Sequence, residues 1–388
     1  MFGGSEGNAE ICGRFALCTM ERTAWTFPDL GVVAEVSTFA EESHVMLHVE
    51  ARGEYFPEQL RRLCAAEESL SSLGTAVMKR YFLSDAANQA PLIEREGTCS
   101  VSLIQQPPLD GSKVAVWIYY IKGADISVAG DTVVVSRSAY RHLWTMGMSC
   151  GEGDSAEQTH ALLRRYTTEL APFAATIAGN CVRTWFFVRD VDIQYAGMVK
   201  ARREDFATYG LTPRTHYIAS TGIGGTPAES GAIVQFGAYA ITGLQPDQQQ
   251  YLYARTHLNP TYEYGVTFER GVKISYGDRD HVYISGTASI NNRGEVVHAG
   301  DIISQTRHMW DNVEALLQEG GCTFEDVAQM VVYVRDVADY ATVERLFLRR
   351  FPEIPSVITL APVCRPAWLV EMECIAIKER HNSAFPDF

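Results

Sequence analysis

Positive charge is scarce in this chain. Its 33 Lys and Arg stand against 47 Asp and Glu, a net charge of −14. A nucleic-acid surface needs clustered Lys and Arg to neutralise phosphates, so that class of partner is excluded. No apolar run approaches the roughly 18 residues of a membrane span, so no membrane partner is expected. The nine cysteines are scattered, odd in number and never spaced Cys-x-x-Cys. That pattern argues against a zinc site and a disulfide framework, and for free thiols in a reducing, cytoplasmic compartment. The opening Met1-Phe2-Gly3-Gly4-Ser5 has neither the charged nor the apolar part of a secretory leader. What remains, 46% hydrophobic and 21% charged over 388 residues, is a globular composition with ample core.

What the chain does have is a phrase said three times. His44-Val45-Met46-Leu47-His48-Val49, His142-Leu143-Trp144-Thr145-Met146-Gly147 and His281-Val282-Tyr283-Ile284-Ser285-Gly286 are short apolar runs. Each is followed by a Gln near the start of a helical stretch: Gln59, Gln158 and Gln305. Each then reaches a strand that ends in an acid, at Asp85, Asp190 and Asp336. Copies two and three keep their spacing except for an insertion between Asn291 and Gly300, and the tails Ser100 to Ile121 and Ser356 to Ile377 align without a gap. Self-similarity of this kind marks an internally repeated architecture. The repeats are expected over 1–122, 123–245 and 246–388.

Each copy follows one plan. The His-bearing run reads as a strand. In copy three a turn at Asn291-Asn292-Arg293-Gly294 leads into Glu295-Val296-Val297-His298, a hairpin by its turn chemistry. Asp301 to Leu317 carries apolar residues at helical spacing and stops at Gly320-Gly321. A second helix is expected at Ala341 to Phe351, ended by Pro352, and long strands close each copy. Copy two has helices near Ser155 to Ile177 and Tyr195 to Tyr209, whereas copy one has only Ala86 to Pro91 in place of its second helix. Helices recurring between strands give an α/β (α+β) fold, with helices on one face of each mixed sheet. His44, His142 and His281 read as strand-edge residues rather than ligands.

Tyr283-Ile284-Ser285-Gly286-Thr287-Ala288, Gln305-Thr306, Val334-Arg335-Asp336 and Leu369-Val370-Glu371-Met372-Glu373-Cys374-Ile375-Ala376 together resemble the Rid (YjgF, "endoribonuclease L-PSP") superfamily. Members of that superfamily are trimers with sites between subunits. The resemblance implies three Rid-like (chorismate-mutase-like) repeats forming a pseudo-trimer in one chain. A fused trimer needs no further partner, so a monomer or weak homo-oligomer is expected. A narrower resemblance, to the chorismatases, runs over Arg183-Thr184-Trp185, Ala219 to Gly224, Ile284 to Ala288, His298 to Asp301, Cys364-Arg365-Pro366 and Leu369-Val370-Glu371. Chorismatases are Rid-fold hydrolases that release pyruvate from the enol ether of chorismate.

An enol ether is cleaved by protonating its methylene carbon, and a carboxylic acid kept neutral by burial supplies that proton. Glu371 sits in an apolar strand and matches the family's catalytic Glu. Copy two has Gln235 and copy one Ala115 at the matching place, so one equipped site is expected. The plainer reading makes Glu371 an inward, hydrogen-bonded carboxylate, a role its neighbour Glu373 on the same strand face would share. Arg365 is the expected carboxylate anchor, through a bidentate guanidinium contact. Copy one has Leu109 there. Cys364 matches the chorismatase branch that makes 3-hydroxybenzoate, and is otherwise a small buried residue. Thr221 and Gly222 present a hydroxyl and backbone N–H groups to a ligand, or form only a flexible turn. Arg183 either points into the cleft or pairs with an acid.

Two departures from the chorismatase pattern bear on the substrate. The family's Tyr-Gly-Pro-Arg loop is replaced by Pro260 to Phe268, which contains Tyr264, the last expected ligand contact, but no Arg. The Phe-x-x-Gly-Arg element is also missing, since Lys200 to Phe206 reads Lys-Ala-Arg-Arg-Glu-Asp-Phe. Arg202, Arg203 and Arg270 are the cations at hand to substitute. The expected function is a chorismatase-like hydrolase acting on a small carboxylate ligand without metal or organic cofactor. The alternatives are a Rid-type enamine or imine deaminase and a non-catalytic binding protein of the same fold. A ribonuclease, which the superfamily's older label suggests, fails on charge.

Overall fold

The computed structural model describes residues 19–53, 55–95 and 97–388. The Met1 to Ser5 segment lies outside them. The first sheet is built from β1 (Glu21–Phe27), β2 (Val32–Phe39), β3 (Glu42–Val49), β4 (Thr75–Leu83), β5 (Ser100–Gln105) and β6 (Val114–Ile121), with helix α1 (Phe56–Glu68) and the single turn α2 (Ala86–Gln89). The second holds β7 (Asp125–Ala129), β8 (Thr132–Arg137), β9 (Tyr140–Ser149), β10 (Cys181–Val188), β11 (Ala219–Gly224) and, beyond the short β12 (Thr226–Pro227), β13 (Val234–Thr242). Its helices are α3 (Ser155–Leu170), the short α4 (Ile177–Asn180) and α5 (Val191–Thr208). The third comprises β14 (Gln249–Leu252), β15 (Gly271–Ser275), β16 (Arg279–Ala288), β17 (Val327–Val334), β18 (Ser356–Leu360) and β19 (Val370–Glu379), with α6 (Ile302–Glu319) and α7 (Tyr340–Arg350).

The three sheets share one strand order: β1-β2-β3-β6-β4-β5, β7-β8-β9-β13-β10-β11 and β14-β15-β16-β19-β17-β18. The last two strands of each order run parallel, and the other neighbours are antiparallel. The protein is therefore an α+β pseudo-trimer of three repeats that share one fold. The repeats are not wholly separate, because β12 leaves the second repeat and pairs with β5 at the edge of the first sheet. The recurring Gln has the same task each time. Gln59 accepts the N–H of Lys113, Gln158 those of Ile233 and Val234, and Gln305 that of Leu369, so each helix is tied to the start of a central strand. In two repeats the recurring acid caps the element that follows: Asp85 accepts from Asn88 N–H and Asp336 from Ala338 N–H, whereas Asp190 makes no side-chain cap.

Helices cover one face of each sheet, and the other faces meet in a shared core containing Met46, Trp117, Trp144, Trp185, Tyr239 and Tyr283. This is where the sequence reading of the histidines is corrected. His44, His142 and His281 are buried at the meeting of the three sheets rather than at strand edges. Their strands are the ones whose faces turn inward. His281 bonds Glu42 at 2.9 Å, His142 bonds the Tyr239 hydroxyl at 2.6 Å, and His44 accepts from Trp117 Nε1 at 3.2 Å. Burial pulls His44 down to about 4 and His142 to about 3, which keeps both neutral. The expected hairpin at Asn291 is a second correction. A turn forms there, but only the isolated bridge Ile290–Val296 follows it.

Candidate active site

Glu371 is the second residue of β19, opposite Tyr333 of β17 and Ala288 of β16. Period-two alternation puts Glu373 on the same face. The β16–β19 ladder is irregular between Ile284 and Thr287, which brings Gly286 over the Glu371 carboxyl. A Cβ at Gly286 would overlap Glu371 Oε1, so only glycine leaves the carboxyl its place. The same irregularity stitches repeat three to repeat two. Ser285 Oγ accepts the N–H of Ser220 at 2.9 Å and donates to the carbonyl of Glu269 at 2.6 Å, and Gly286 N–H donates to Thr221 Oγ1 at 2.9 Å.

The two neighbouring carboxyls have opposite electrostatics. Glu371 is 5% exposed, and burial, together with the negative charge of Glu373, pushes its pKa up to about 8. It is therefore largely protonated at neutral pH. Glu373 is also buried, which works against its charge. The Arg183 and Arg80 guanidiniums and hydrogen bonds from Thr221 and Trp185 outweigh that and hold it below the usual carboxylate range. Arg80 comes from the first repeat (3.1 Å) and Arg183 from the second (2.8 Å), and Trp185 Nε1 donates at 3.0 Å. One ionised carboxylate thus joins all three repeats, and its charge helps keep the neighbouring carboxyl neutral. Pairs of acids pushed apart in this way are a signature of acid–base sites.

A cavity of about 30 Å³ opens on Glu371, at the seam between repeats two and three. Cys364, Arg365 and Trp368 reach it from the loop before β19, Gly222 from β11, and Tyr195 and Arg202 from α5. Arg270, just ahead of β15, completes it. Arg365 lies with its guanidinium 5.3 Å from the Trp368 ring centre. Arg202 Nε donates to Thr267 Oγ1 at 3.2 Å, and Arg270 Nη2 donates to the carbonyl and side-chain oxygens of Asn259 at 3.1 and 3.2 Å. Three guanidiniums around one neutral acid make a pocket that favours an anion. Burial, and then the nearby Glu371, push the Cys364 thiol up to about 12, so it is a neutral group and no thiolate nucleophile.

Of the residues expected at the site, Glu371, Cys364, Arg365 and Gly222 line this cavity. Arg183 and Thr221 lie beneath it. Thr221 Oγ1 donates to Glu373 and accepts from Arg183 and Gly286, so its hydroxyl is spent on the network that sets the electrostatics. Tyr264 belongs to the 3₁₀ turn Thr261–Tyr264, and its side chain lies outside the described residues. Of the cations at hand to substitute for the family's arginines, Arg202 and Arg270 line this cavity, while Arg203 is exposed. Tyr195 escaped the sequence reading. Its signal is the spacing Tyr195, Met198, Arg202, which places all three on one face of α5. Among the described residues no group of three or more His, Cys, Asp or Glu is arranged to hold a metal, no helix is long and apolar enough to cross a membrane, and seven cysteines are free thiols.

The family described as endoribonuclease L-PSP matches residues 268–378. A RutC family protein of Pyrococcus abyssi is 34% identical over 115 residues, 29% of this chain and 87% of that protein. The chain belongs to the Rid superfamily. Another Rid relative, the 3-aminoacrylate deaminase RutC of Acinetobacter baylyi, is 35% identical over 72 residues. That match spans 19% of this chain and just over half, 57%, of the deaminase. Among solved structures, a chorismatase superposes on 78% of this Rid protein and 93% of its own chain, with a TM-score of 0.63 and 19% identity. At that identity the likeness is one of fold.

Proposed function

We propose that this Rid protein hydrolyses chorismate or a related small cyclic enol-ether carboxylate, releasing pyruvate. The observation that carries the reading is the Glu371 carboxyl, held up to about 8 within an arginine-lined cavity. An acid that stays protonated at neutral pH, beside groups that grip a carboxylate, is what enol-ether cleavage requires. Arg365, with Arg202, holds the enolpyruvyl carboxylate and places the methylene carbon against Glu371. The Glu371 proton passes to that carbon and leaves an oxocarbenium ion. Water adds to the cation and returns a proton to the Glu371 carboxylate. The resulting hemiketal breaks its C–O bond to the ring, giving pyruvate and the ring alcohol. Cys364 and Tyr195 shape the wall and hydrogen-bond one another. Gly222 gives the ligand close access to backbone, and Arg183 and Thr221 position Glu373.

A second reading is favoured by the similarity to a 3-aminoacrylate deaminase. An enamine is also protonated at carbon, and the same acid and anchor would lead to an imine that water hydrolyses with loss of ammonia. The deciding experiment follows pyruvate from chorismate in the wild type and in Glu371→Gln. The first reading expects turnover that falls about 10²- to 10⁴-fold in the variant, the usual share of a general acid. Folded wild type that leaves chorismate intact but releases ammonia from 3-aminoacrylate would replace the first reading by the second.

A further inference from the structure

The cavity at Glu371, of about 30 Å³, shares a wall with a neighbour. In the enol-ether reading it takes the reacting end of the substrate. A second cavity, of about 70 Å³, lies on the other side of Arg270, and Arg270 forms part of both walls. Repeat two supplies its Thr212–Tyr217 side, and repeat three supplies Tyr253 to Tyr262.

We propose that this outer cavity is a second substrate subsite, one that takes a planar ring bearing a carboxylate. The inference rests on the enol-ether reading for its orientation, with the reacting end at Glu371 and the ring beyond Arg270. Three phenol rings, Tyr217, Tyr253 and Tyr262, line the cavity and offer faces to a flat ligand. Arg255 also lines it, with its guanidinium 4.9 Å from the Tyr253 ring centre, at the exposed end. Arg270 supplies a cation at the inner end. The acid present, Glu269, is already engaged by the Tyr217 N–H at 2.8 Å and faces both arginines. Asn259 holds Arg270 through one nitrogen. A carboxylated ring entering between the two guanidiniums replaces that contact with a charge-assisted one. Both ends of the substrate are then bound by residues from two repeats, a geometry that needs the seam to be intact.

The test is a calorimetric titration with benzoate, which carries the ring and carboxylate but no enol ether. Saturable binding to the intact wild type is expected, equal in Glu371→Gln and weaker by about tenfold or more in Arg255→Ala, the worth of one charge-assisted contact. Arg255 is exposed, so its replacement leaves the fold intact. In the pyruvate assay the same variant raises KM more than it lowers kcat. The subsite is refuted by the absence of saturable benzoate binding to wild type. It is refuted equally by binding that survives Arg255→Ala or disappears in Arg365→Ala instead, which would put the ring in the inner pocket. Benzoate binding that follows this pattern in a protein inert toward chorismate would keep the subsite and remove the enol-ether reading.

Discussion

Two seams in this molecule are built from equivalent strands and have opposite chemistry. Between repeats two and three, Glu371 faces the small cavity of about 30 Å³. Between repeats one and two, Gln235 occupies the same register, opposite Phe187 and Ser149, at an open cavity of about 730 Å³. Gln235 donates to Ser102 Oγ at 2.7 Å and so turns into the seam. Glu229 stands as far ahead of Gln235 as Arg365 stands ahead of Glu371, so an acidic residue takes the place of the proposed anchor. The larger of these two cavities is thus the one without the acid. Raising a carboxyl to about 8 takes burial and a charged neighbour, and Gln235, itself buried, has the first without the second.

The strongest way to break the comparison is to remove what supports Glu371 from below. In the open seam the position equivalent to Glu373 is Gly237, two residues beyond Gln235. Glu373→Ala strips Arg80 and Arg183 of their shared buried partner. Leaving buried charge uncompensated costs about 3–5 kcal/mol. The denaturant midpoint should fall accordingly, and a shift of less than about 1 kcal/mol would deny Glu373 its role in joining the repeats.

Glu373 also marks the border of what was legible in the chain. The repeats were readable because strand, Gln and terminal acid recur in order, and Glu371 and Arg365 because only copy three carries them. Arg183 and Thr221 were expected at the ligand because their motif resembled a binding element. Their partner is Glu373, which also collects Arg80 from the first repeat, and nothing along the chain connects those positions. Tyr195, Arg202 and Arg270 come together at a seam, so their convergence is a product of packing between repeats and not of spacing within one. The inward histidines were missed for the same reason, since a strand's sequence does not say which other sheets cover its face.

The pH profile sharpens the contrast on a smaller scale. Glu371 must carry its proton to act, so turnover is expected to be level below about pH 7 and to fall about tenfold per unit above the value of about 8. Stability follows the same group. A carboxyl raised above its unfolded value stabilises the folded state most below the unfolded pKa, and that contribution is lost as pH rises through about 8. Glu371→Gln, which is always neutral, should therefore gain stability relative to wild type as pH climbs from about 5 to about 8. Parallel melting curves of the two proteins across that range would show Glu371 to be ionised throughout.

The smallest effect is expected from repairing the other seam. Gln235→Glu restores the carboxyl to the open cleft, where Glu229 stands at the place that Arg365 holds in the other seam. Gly237 stands where Glu373 would raise its pKa, so the new acid should titrate below Glu371 and be more fully ionised at neutral pH. It then has less of its proton to give. Placed in the Glu371→Gln background, Gln235→Glu should leave pyruvate release at the level of Glu371→Gln alone. Recovery of turnover in that double variant would mean that the carboxyl's register by itself makes the site. Its persistence at background would mean that the residues set around Glu371 are as necessary as the acid.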